Sequence, residues 1–479
     1  MQQNEEFEKL IEERMKRFQI LLDRAKYDFK QYQYDGVEWC VRNELQPNPH
    51  MGYRGGFICD EMGLGKTIQM IATMFVNFLQ RTLIIVPPVL IEQWHKSIYD
   101  TSGHNAIIYH GAHKSNVDME LLSNAQIVIT TYSMLQGKNC LLHNLVWSRV
   151  IFDEAHHLRN SNTTRYRYCK IIRSKIRWLV TGTPIQNSKK DFYNLCSMVG
   201  MKAEFYKLPT SLPIIGKHFI LKRTKEQVGI QLPIIFEEVI KIDWENNKEK
   251  ALAEEIHSLL PGISGVSAEK RKKLAEMFGK GGVLTALIRA KQACIMPSML
   301  QKNIISEEIN EEQYMDALKY NSKLDKVIEY VKQNKDNGRG KIIFCHFLEE
   351  IDEIVLRLKN NGFVNVKTYD GRNSGPKELR QLADPAEVLV MQIQTGCEGL
   401  NLQENYSEIY FVSPHWNPSV EDQAIGRCHR IGQKNRVDVY KFEMEGFDKD
   451  NSENISLEIY VTKKQRVKRD ISNEILSKM

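Results

Sequence analysis

The stretch Phe57-Ile58-Cys59-Asp60-Glu61-Met62-Gly63-Leu64-Gly65-Lys66-Thr67 decides how the chain is read. Three apolar residues of strand character run into a glycine-containing turn that opens a helix, which is the context a phosphate-binding loop requires. Gly63 and Gly65 let backbone amides approach phosphate oxygens, so Asp60, Glu61, Met62, Gly63, Leu64, Gly65, Lys66 and Thr67 form a candidate nucleotide cradle. Lys66 would reach the β- and γ-phosphates as a point charge, and the Thr67 hydroxyl would hold magnesium. The full loop consensus has a further glycine where Asp60 stands, so the stretch taken alone also fits a plain strand-to-helix turn.

Outward from this loop, short Ile- and Val-rich runs alternate with helical stretches: Leu83–Val86, Ile107–Tyr109, Ile127–Ile129, Val150–Phe152 and Leu179–Val180. A second series runs through Ile342–Phe344, Val366–Tyr369, Val388–Val390, Ile409–Val412 and Val437–Tyr440. Alternating strands and helices imply parallel α/β sheets. The expected architecture is an N-terminal helix over 1–27, a first α/β lobe over 28–240, a helical protrusion and linker over 241–320, and a second lobe over 321–479. The helical reading of the third segment rests on missing strand signals and on helical patterns such as Leu252–Leu260 and Val283–Cys294, broken at Pro261-Gly262 and Gly279–Gly282. Residues 5 to 30 hold seven acidic and seven basic residues around Phe7, Leu10, Ile11, Phe18 and Leu21, the pattern of a surface helix with one apolar stripe.

Composition narrows the function classes. The chain has 479 residues, enough for about three domain-sized units. Its 66 Lys and Arg against 60 Asp and Glu leave a net charge of +6, which permits an acidic partner without demanding one. Uncharged runs such as Thr67 to Gln80 are all shorter than the roughly 20 residues of a membrane span. The acidic start Met1-Gln-Gln-Asn-Glu-Glu does not read as a secretion signal. Nine scattered cysteines without a Cys-x-x-Cys pair suit a reducing compartment and argue against a zinc module. No membrane partner and an intracellular location follow as expectations.

Asp153-Glu154-Ala155-His156 follows the strand Val150–Phe152, where the carboxyl end of a parallel strand delivers side chains to a ligand crevice. Asp153 can hold magnesium and Glu154 can orient and deprotonate the attacking water. Arg427 and Arg430 stand three apart on an expected helix face, where both could address one γ-phosphate. An arginine pair by itself is usually a solvated face, and it gains meaning from the ATP-type loop in the first lobe.

The wider series is FKQYQYDGVEW (Phe29–Trp39), DEMGLGKTIQ (Asp60–Gln69), LIIVPPVLIEQW (Leu83–Trp94), IVITTY (Ile127–Tyr132), DEAHHLRN (Asp153–Asn160) and TGTPIQN (Thr181–Asn187). It continues with FILKRTK (Phe219–Lys225), KIIFCHF (Lys341–Phe347), GCEGLNLQ (Gly396–Gln403) and WNPSVEDQAIGRCHRIGQ (Trp416–Gln433). Across nearly the whole chain this resembles the Swi/Snf family of ATP-dependent double-stranded DNA translocases, within helicase superfamily two. The resemblance implies two RecA-like lobes closing on ATP and Mg2+, with Gln33 at the adenine, Lys66 and Thr67 at phosphate and metal, Asp153 and Glu154 driving hydrolysis, and Arg427 and Arg430 as arginine fingers. It further implies that TGTPIQN couples hydrolysis to lobe movement and that Thr130 and Trp416 contact DNA. The chain departs from the family's commoner form at Gln392, at Gly396–Gly399, and in a short segment from Arg372 to Val388, so a trimmed second lobe is expected.

Arg159–Arg177 carries seven basic residues and no acid, interleaved with Tyr166 and Tyr168, and makes Arg165 and Arg167 candidates for phosphate contact. Lys270–Lys291, with seven basic residues and Glu276, and Lys463–Arg469, with five, are further basic clusters. The leading expectation is a DNA-stimulated ATPase that moves on duplex DNA and remodels protein–DNA complexes or DNA structure, at a nuclear or cytoplasmic site of DNA metabolism. Alternatives are a strand-separating DNA or RNA helicase, a transcription-associated ATPase of the kind large DNA viruses carry, with RNA polymerase as partner, and a non-catalytic DNA-binding scaffold. Intact Lys66, Glu154, Arg427 and Arg430 weigh against the scaffold.

Overall fold

The computed structural model describes residues 2–137, 140–182, 184, 188–260, 282–301, 312–372, 385–396, 400–448 and 454–477. The chain divides into two units, one of residues 1–231 with 468–479 and one of residues 232–467. Each is built on a parallel sheet.

In the first unit the strands are β1 (Gly55–Ile58), β2 (Thr82–Val86), β3 (Ile107–Tyr109), β4 (Ile127–Thr131), β5 (Val146–Asp153), β6 (Arg173–Val180) and β7 (Ile220–Leu221), in the order β3-β4-β2-β5-β6-β1-β7. β1, β2 and β4 are buried along their whole length, which is why they read as unbroken apolar runs. One face packs Phe57, Leu83, Val128, Val150 and Leu179, and the other packs Ile58, Ile84, Ile129, Ile151 and Trp178. The helix Gln2–Ala25 lays Ile11, Met15, Phe18 and Leu22 against Val37, Val41 and Val76, so its apolar stripe is fully used.

In the second unit β8 (Ile235–Ile242), β9 (Gly340–Cys345), β10 (Val366–Tyr369), β11 (Val388–Gln392), β12 (Tyr406–Phe411) and β13 (Val437–Met444) take the order β10-β11-β9-β12-β13-β8. Every strand expected in both series is present. β7 and β8 were not expected: β7 has only two residues, and β8 pairs parallel with β13 from Ile235↔Val437 to Ile242↔Met444 and carries the chain into the second sheet before residue 240. As an edge strand β8 keeps Glu237 and Lys241 in solvent and so lacks the apolar run by which the others are read. Helices Asn247–His257 and Val283–Ile295 fall in the expected helical segment and share a separate core of Leu252, Ile256, Ala290, Leu300 and Tyr314 with Phe447, Leu457 and Val461. Most of the Lys270–Lys291 cluster and of the short Arg372–Val388 segment lies outside the described residues.

Both units contain a buried polar anchor. In the first, Arg149 on β5 is fully buried and grips Glu44 through Nε, at 2.6 Å, and Nη2, while Trp178 Nε1 and Asn77 Nδ2 each donate to the same carboxylate at 2.7 Å. Arg149→Leu strands the Glu44 charge and is expected to destabilise the first unit by about 3–5 kcal/mol in chemical denaturation. In the second, buried His257 donates from Nδ1 to Ala253 O at 2.6 Å and accepts the Leu457 N–H on Nε2 at 2.9 Å, so the ring is neutral. Burial pushes its pKa from the ordinary 6.5 down to about 4. The unfolded chain therefore binds a proton in this window that the folded chain refuses, and stability, complete above pH 6.5, falls as the pH drops toward 4. Unfolding midpoints measured across that range should show this slope, and His257→Gln should flatten it.

Candidate active site

Asp60 follows β1 with no solvent exposure, and the chain then turns through Gly63 (φ +95°) and Gly65 (φ +77°) into helix Lys66–Val76. At Gly65 the left-handed backbone favours glycine, and a Cβ would also lie 2.4 Å from Gln33 Nε2. Gln33 therefore sits against the loop, and its Nε2 donates to Leu64 O at 3.3 Å. Lys66 Nζ folds back over the loop, donating to the carbonyls of Asp60 (2.8 Å) and Glu61 (3.4 Å). A Cβ added to Gly182 would stand 3.4 Å from Met62 Cγ and 3.7 Å from Lys66 Nζ, so the turn after β6 flanks the lysine. Burial lowers the Lys66 pKa, opposed by the carboxylates of Glu154, Asp60 and Asp153. An ammonium held near three carboxylates and bonded to carbonyls can exchange these partners for phosphate oxygens. Thr67 occupies the first helical turn, where its hydroxyl is an oxygen donor of the kind a hard cation takes.

Asp153 ends β5. Trp94 Nε1 donates to its Oδ2 at 2.7 Å, the Glu154 amide to its Oδ1 at 2.9 Å, and the Tyr132 hydroxyl to its carbonyl at 2.6 Å. Burial first, and then the adjoining Glu154 carboxylate, push the Asp153 pKa up to about 7, while the Trp94 and Glu154 N–H groups pull it down. Glu154 has a left-handed backbone, φ +48°, uncommon for a side chain with a Cβ and typical of functional turns. Its Oε2 lies 3.2 Å from His156 Nδ1. The His156 and His157 rings are 4.5 Å apart, and Arg165 Nη1 reaches His157 Nδ1 at 3.1 Å with its guanidinium over the Tyr132 ring. Because a guanidinium can only donate, His157 Nδ1 is unprotonated there.

Three residues with no role expected from the sequence, Arg223, Gln69 and Lys225, complete the loop. Arg223, after β7, meets Asp60 through Nε (3.1 Å) and Nη2 (2.5 Å), and Nη2 also donates to Gln69 Oε1 at 2.8 Å. Gln69 in turn donates to Asp60 Oδ2 (3.0 Å) and Leu64 O (3.2 Å). Lys225 joins Glu61 at 2.9 Å. The signal was Asp60 itself, since a carboxylate placed directly after a buried strand needs a cation.

The remaining expected residues are spread more widely. Arg427 is buried and Arg430 half-buried in the turn after helix Pro418–Ile425, not on its face, because the helix ends at Gly426. They still lie close: burial and then the Arg427 charge lower the Arg430 pKa, and Arg430 Nη1 donates to Asn401 Oδ1. Trp416 is half-buried against the helical core, 6.4 Å from the Tyr460 ring. Thr130 is buried and donates to Tyr109 O at 2.8 Å, so its side chain does not reach solvent. Arg165 turns toward the DEAH segment and Arg167 is exposed on helix Thr164–Lys170. Residues 183, 185–187 and 397–399, in the TGTPIQN and GCEG motifs, lie outside the described residues.

Parallel sheets, a phosphate loop after β1 and an Asp-Glu pair after β5 define an ATP-hydrolysing enzyme of the helicase type, with RecA-like units. Residues 32–299 match the SNF2-related domain and residues 322–432 the helicase conserved C-terminal domain. The chain belongs to the SNF2-related family of ATP-dependent, helicase-like enzymes. Among its relatives, a "probable global transactivator" of Orgyia pseudotsugata multicapsid polyhedrosis virus is 26% identical, over 94% of this chain and 91% of that protein. An ATP-dependent helicase of Mycoplasma genitalium is 28% identical over 88% of this chain, which spans 41% of its length. The crystal structure of the Pyrococcus furiosus Hef helicase domain shares the fold, with TM-score 0.52 over 87% of this chain and 96% of that one at 16% identity.

The Trp94 indole contributes to the site through Asp153 Oδ2. Trp94→Phe keeps an aromatic side chain and removes the donor, and turnover at saturating ATP is expected to fall about tenfold without loss of the folded state by circular dichroism.

Proposed function

We propose that the protein is an ATP-driven translocase on double-stranded DNA that displaces bound proteins or remodels DNA structure. The observation that carries this reading is the gathering of Lys66, Asp153 and Glu154 at one site in the first unit, within a chain bearing the full Swi/Snf motif series. Lys66 and the amides of the Gly63–Gly65 turn bind the β- and γ-phosphates, and Gln33 lies on the base side of the loop. Thr67 and Asp153 are the oxygen donors that fit Mg2+, whose chemistry when bound is to neutralise charge on the phosphates. Glu154 orients the attacking water and takes its proton. By the same reading Arg427 and Arg430, in the second unit, would serve as the arginine fingers that stabilise charge on the transferring phosphoryl group.

Duplex DNA is the proposed track, held by phosphate contacts from exposed basic residues such as Arg167, with Trp416 as a further DNA contact. A nuclear or cytoplasmic site of DNA metabolism suits this role. Among the described residues no helix is long and apolar enough to cross a membrane. Coverage of 91% of the viral protein named a global transactivator favours a second reading, in which the motor serves transcription and meets RNA polymerase.

Steady-state ATP hydrolysis should rise severalfold with duplex DNA, less with single-stranded DNA or duplex RNA, and be lost in Lys66→Ala. Preferred stimulation by RNA, or efficient strand separation in a displacement assay, would overturn the duplex-translocase reading. Copurification of polymerase subunits would select the transcription role.

A further inference from the structure

The polar groups behind the phosphate loop form a chain in which each amide can face one way. Asp60 accepts only and Arg223 donates only, and both hold Gln69, whose Oε1 meets Arg223 Nη2 at 2.8 Å while its Nε2 meets Asp60 Oδ2 at 3.0 Å. Rotating this amide by half a turn would set an N–H against the guanidinium and an oxygen against the carboxylate. With Gln69 so fixed, its Nε2 also holds Leu64 O, at 3.2 Å. Leu64 O in turn dictates the amide of Gln33, which directs Nε2 to that carbonyl at 3.3 Å. The carbonyl end of the Gln33 amide is thereby the end turned away from the loop.

The same arginine also binds the backbone from which Gln33 projects. Arg223 Nη1 donates to Tyr32 O, and its guanidinium lies over the Tyr32 ring. A Cβ on Gly36, one turn further along helix Gln31–Leu45, would come within 2.1 Å of Gln69 Oε1 and 2.7 Å of Arg223 Nη2, so the helix packs directly on the pair.

We propose that Arg223 and Gln69 are positioning residues that give the enzyme its preference for adenine nucleotides, by fixing the Gln33 amide with its oxygen presented to the base. The inference rests on the ATP-driven reading above, with Gln33 on the base side of the loop. Adenine carries an amino donor at position 6 and guanine an oxygen acceptor. A presented oxygen accepts from the first and repels the second. A glutamine free to rotate would serve both bases, and the Asp60–Arg223–Gln69–Leu64 chain removes that freedom because rotation of Gln33 would oppose its oxygen to Leu64 O.

The test is kcat/KM for ATP and for GTP, with nucleic acid at saturation, in the unmodified protein, Arg223→Met and Gln69→Leu, joined to equilibrium binding of fluorescent ADP and GDP. The expected result is an ATP-to-GTP preference that falls by at least about tenfold in both variants, carried mainly by KM and mirrored in the ADP-to-GDP affinity ratio. A residue that only braces the loop would raise KM for both nucleotides in proportion and leave the ratio unchanged, which overturns the proposal. Should Arg223→Met melt below the assay temperature, Gln69→Leu decides, since it strands no charge. ATP hydrolysis by the unmodified protein without base preference overturns this inference and leaves the ATPase intact. Hydrolysis of neither nucleotide overturns both.

Discussion

Asp60 is a carboxylate with no solvent exposure, set where the phosphate loop leaves β1, and the position of the loop depends on how that charge is met. Left unpaired it would have to take up a proton or open the fold. Arg223, 163 residues later, meets it with a two-nitrogen fork, and the approach aligns the chain on both sides of the pair: Phe57 and Ile58 pair with Ile220 and Leu221, and Glu61 N donates to Arg223 O at 2.9 Å. β7 has two residues, too few to hold a sheet edge by hydrogen bonds alone. The ion pair supplies what the strand lacks.

Glu44 and Arg149 show the same physics used to a different end. Both carboxylates are buried, both are gripped by an arginine and both draw further N–H donors. A buried ion pair is weak evidence for stability, because well-packed apolar residues of similar volume often serve as well or better. Its value is geometric. Around Glu44 the geometry joins helix Gln31–Leu45 to β5 and β6 and carries no chemistry. Around Asp60 it orients Gln69, Leu64 O and Gln33, the groups that border the nucleotide loop.

Legibility in the sequence followed burial and contiguity. Buried runs such as Thr82–Val86 and Ile127–Thr131 are rich in Val and Ile and could be read; β7, with two residues, and β8, exposed at an edge with Glu237 and Lys241 in solvent, could not. The loop and the DEAH segment were legible because their residues are neighbours in the chain. Trp94, Tyr132, Gln69 and Arg223 act on them through contacts that no local spacing encodes. Arg427 and Arg430 were read as a helix face from their spacing, whereas the helix has already ended and a turn brings the two charges together.

The basic run from Arg159 to Arg177 shows why composition overstates an electrostatic surface. Lys170 donates to Ser197, and burial pushes its pKa down to about 8. Arg177 donates to Met198 O at 2.9 Å, Arg173 to Asn144 O at 3.1 Å, and Arg165 turns to His157. Salt-dependent attraction to a polyanion counts the cations whose counterions can be released, and a guanidinium already engaged with protein acceptors contributes less to that sum. Arg167, exposed beside them, is of the first kind and Arg165 of the second. The helix Thr164–Lys170 is therefore stitched to the turn that carries Glu154 as much as it is displayed to solvent. A phosphate that drew Arg165 outward would remove the donor from His157 Nδ1, whose ring lies 4.5 Å from that of His156, itself 3.2 Å from the Glu154 carboxylate. An anion at this surface and the acidic pair at the end of β5 are thus separated by a short series of contacts within one unit.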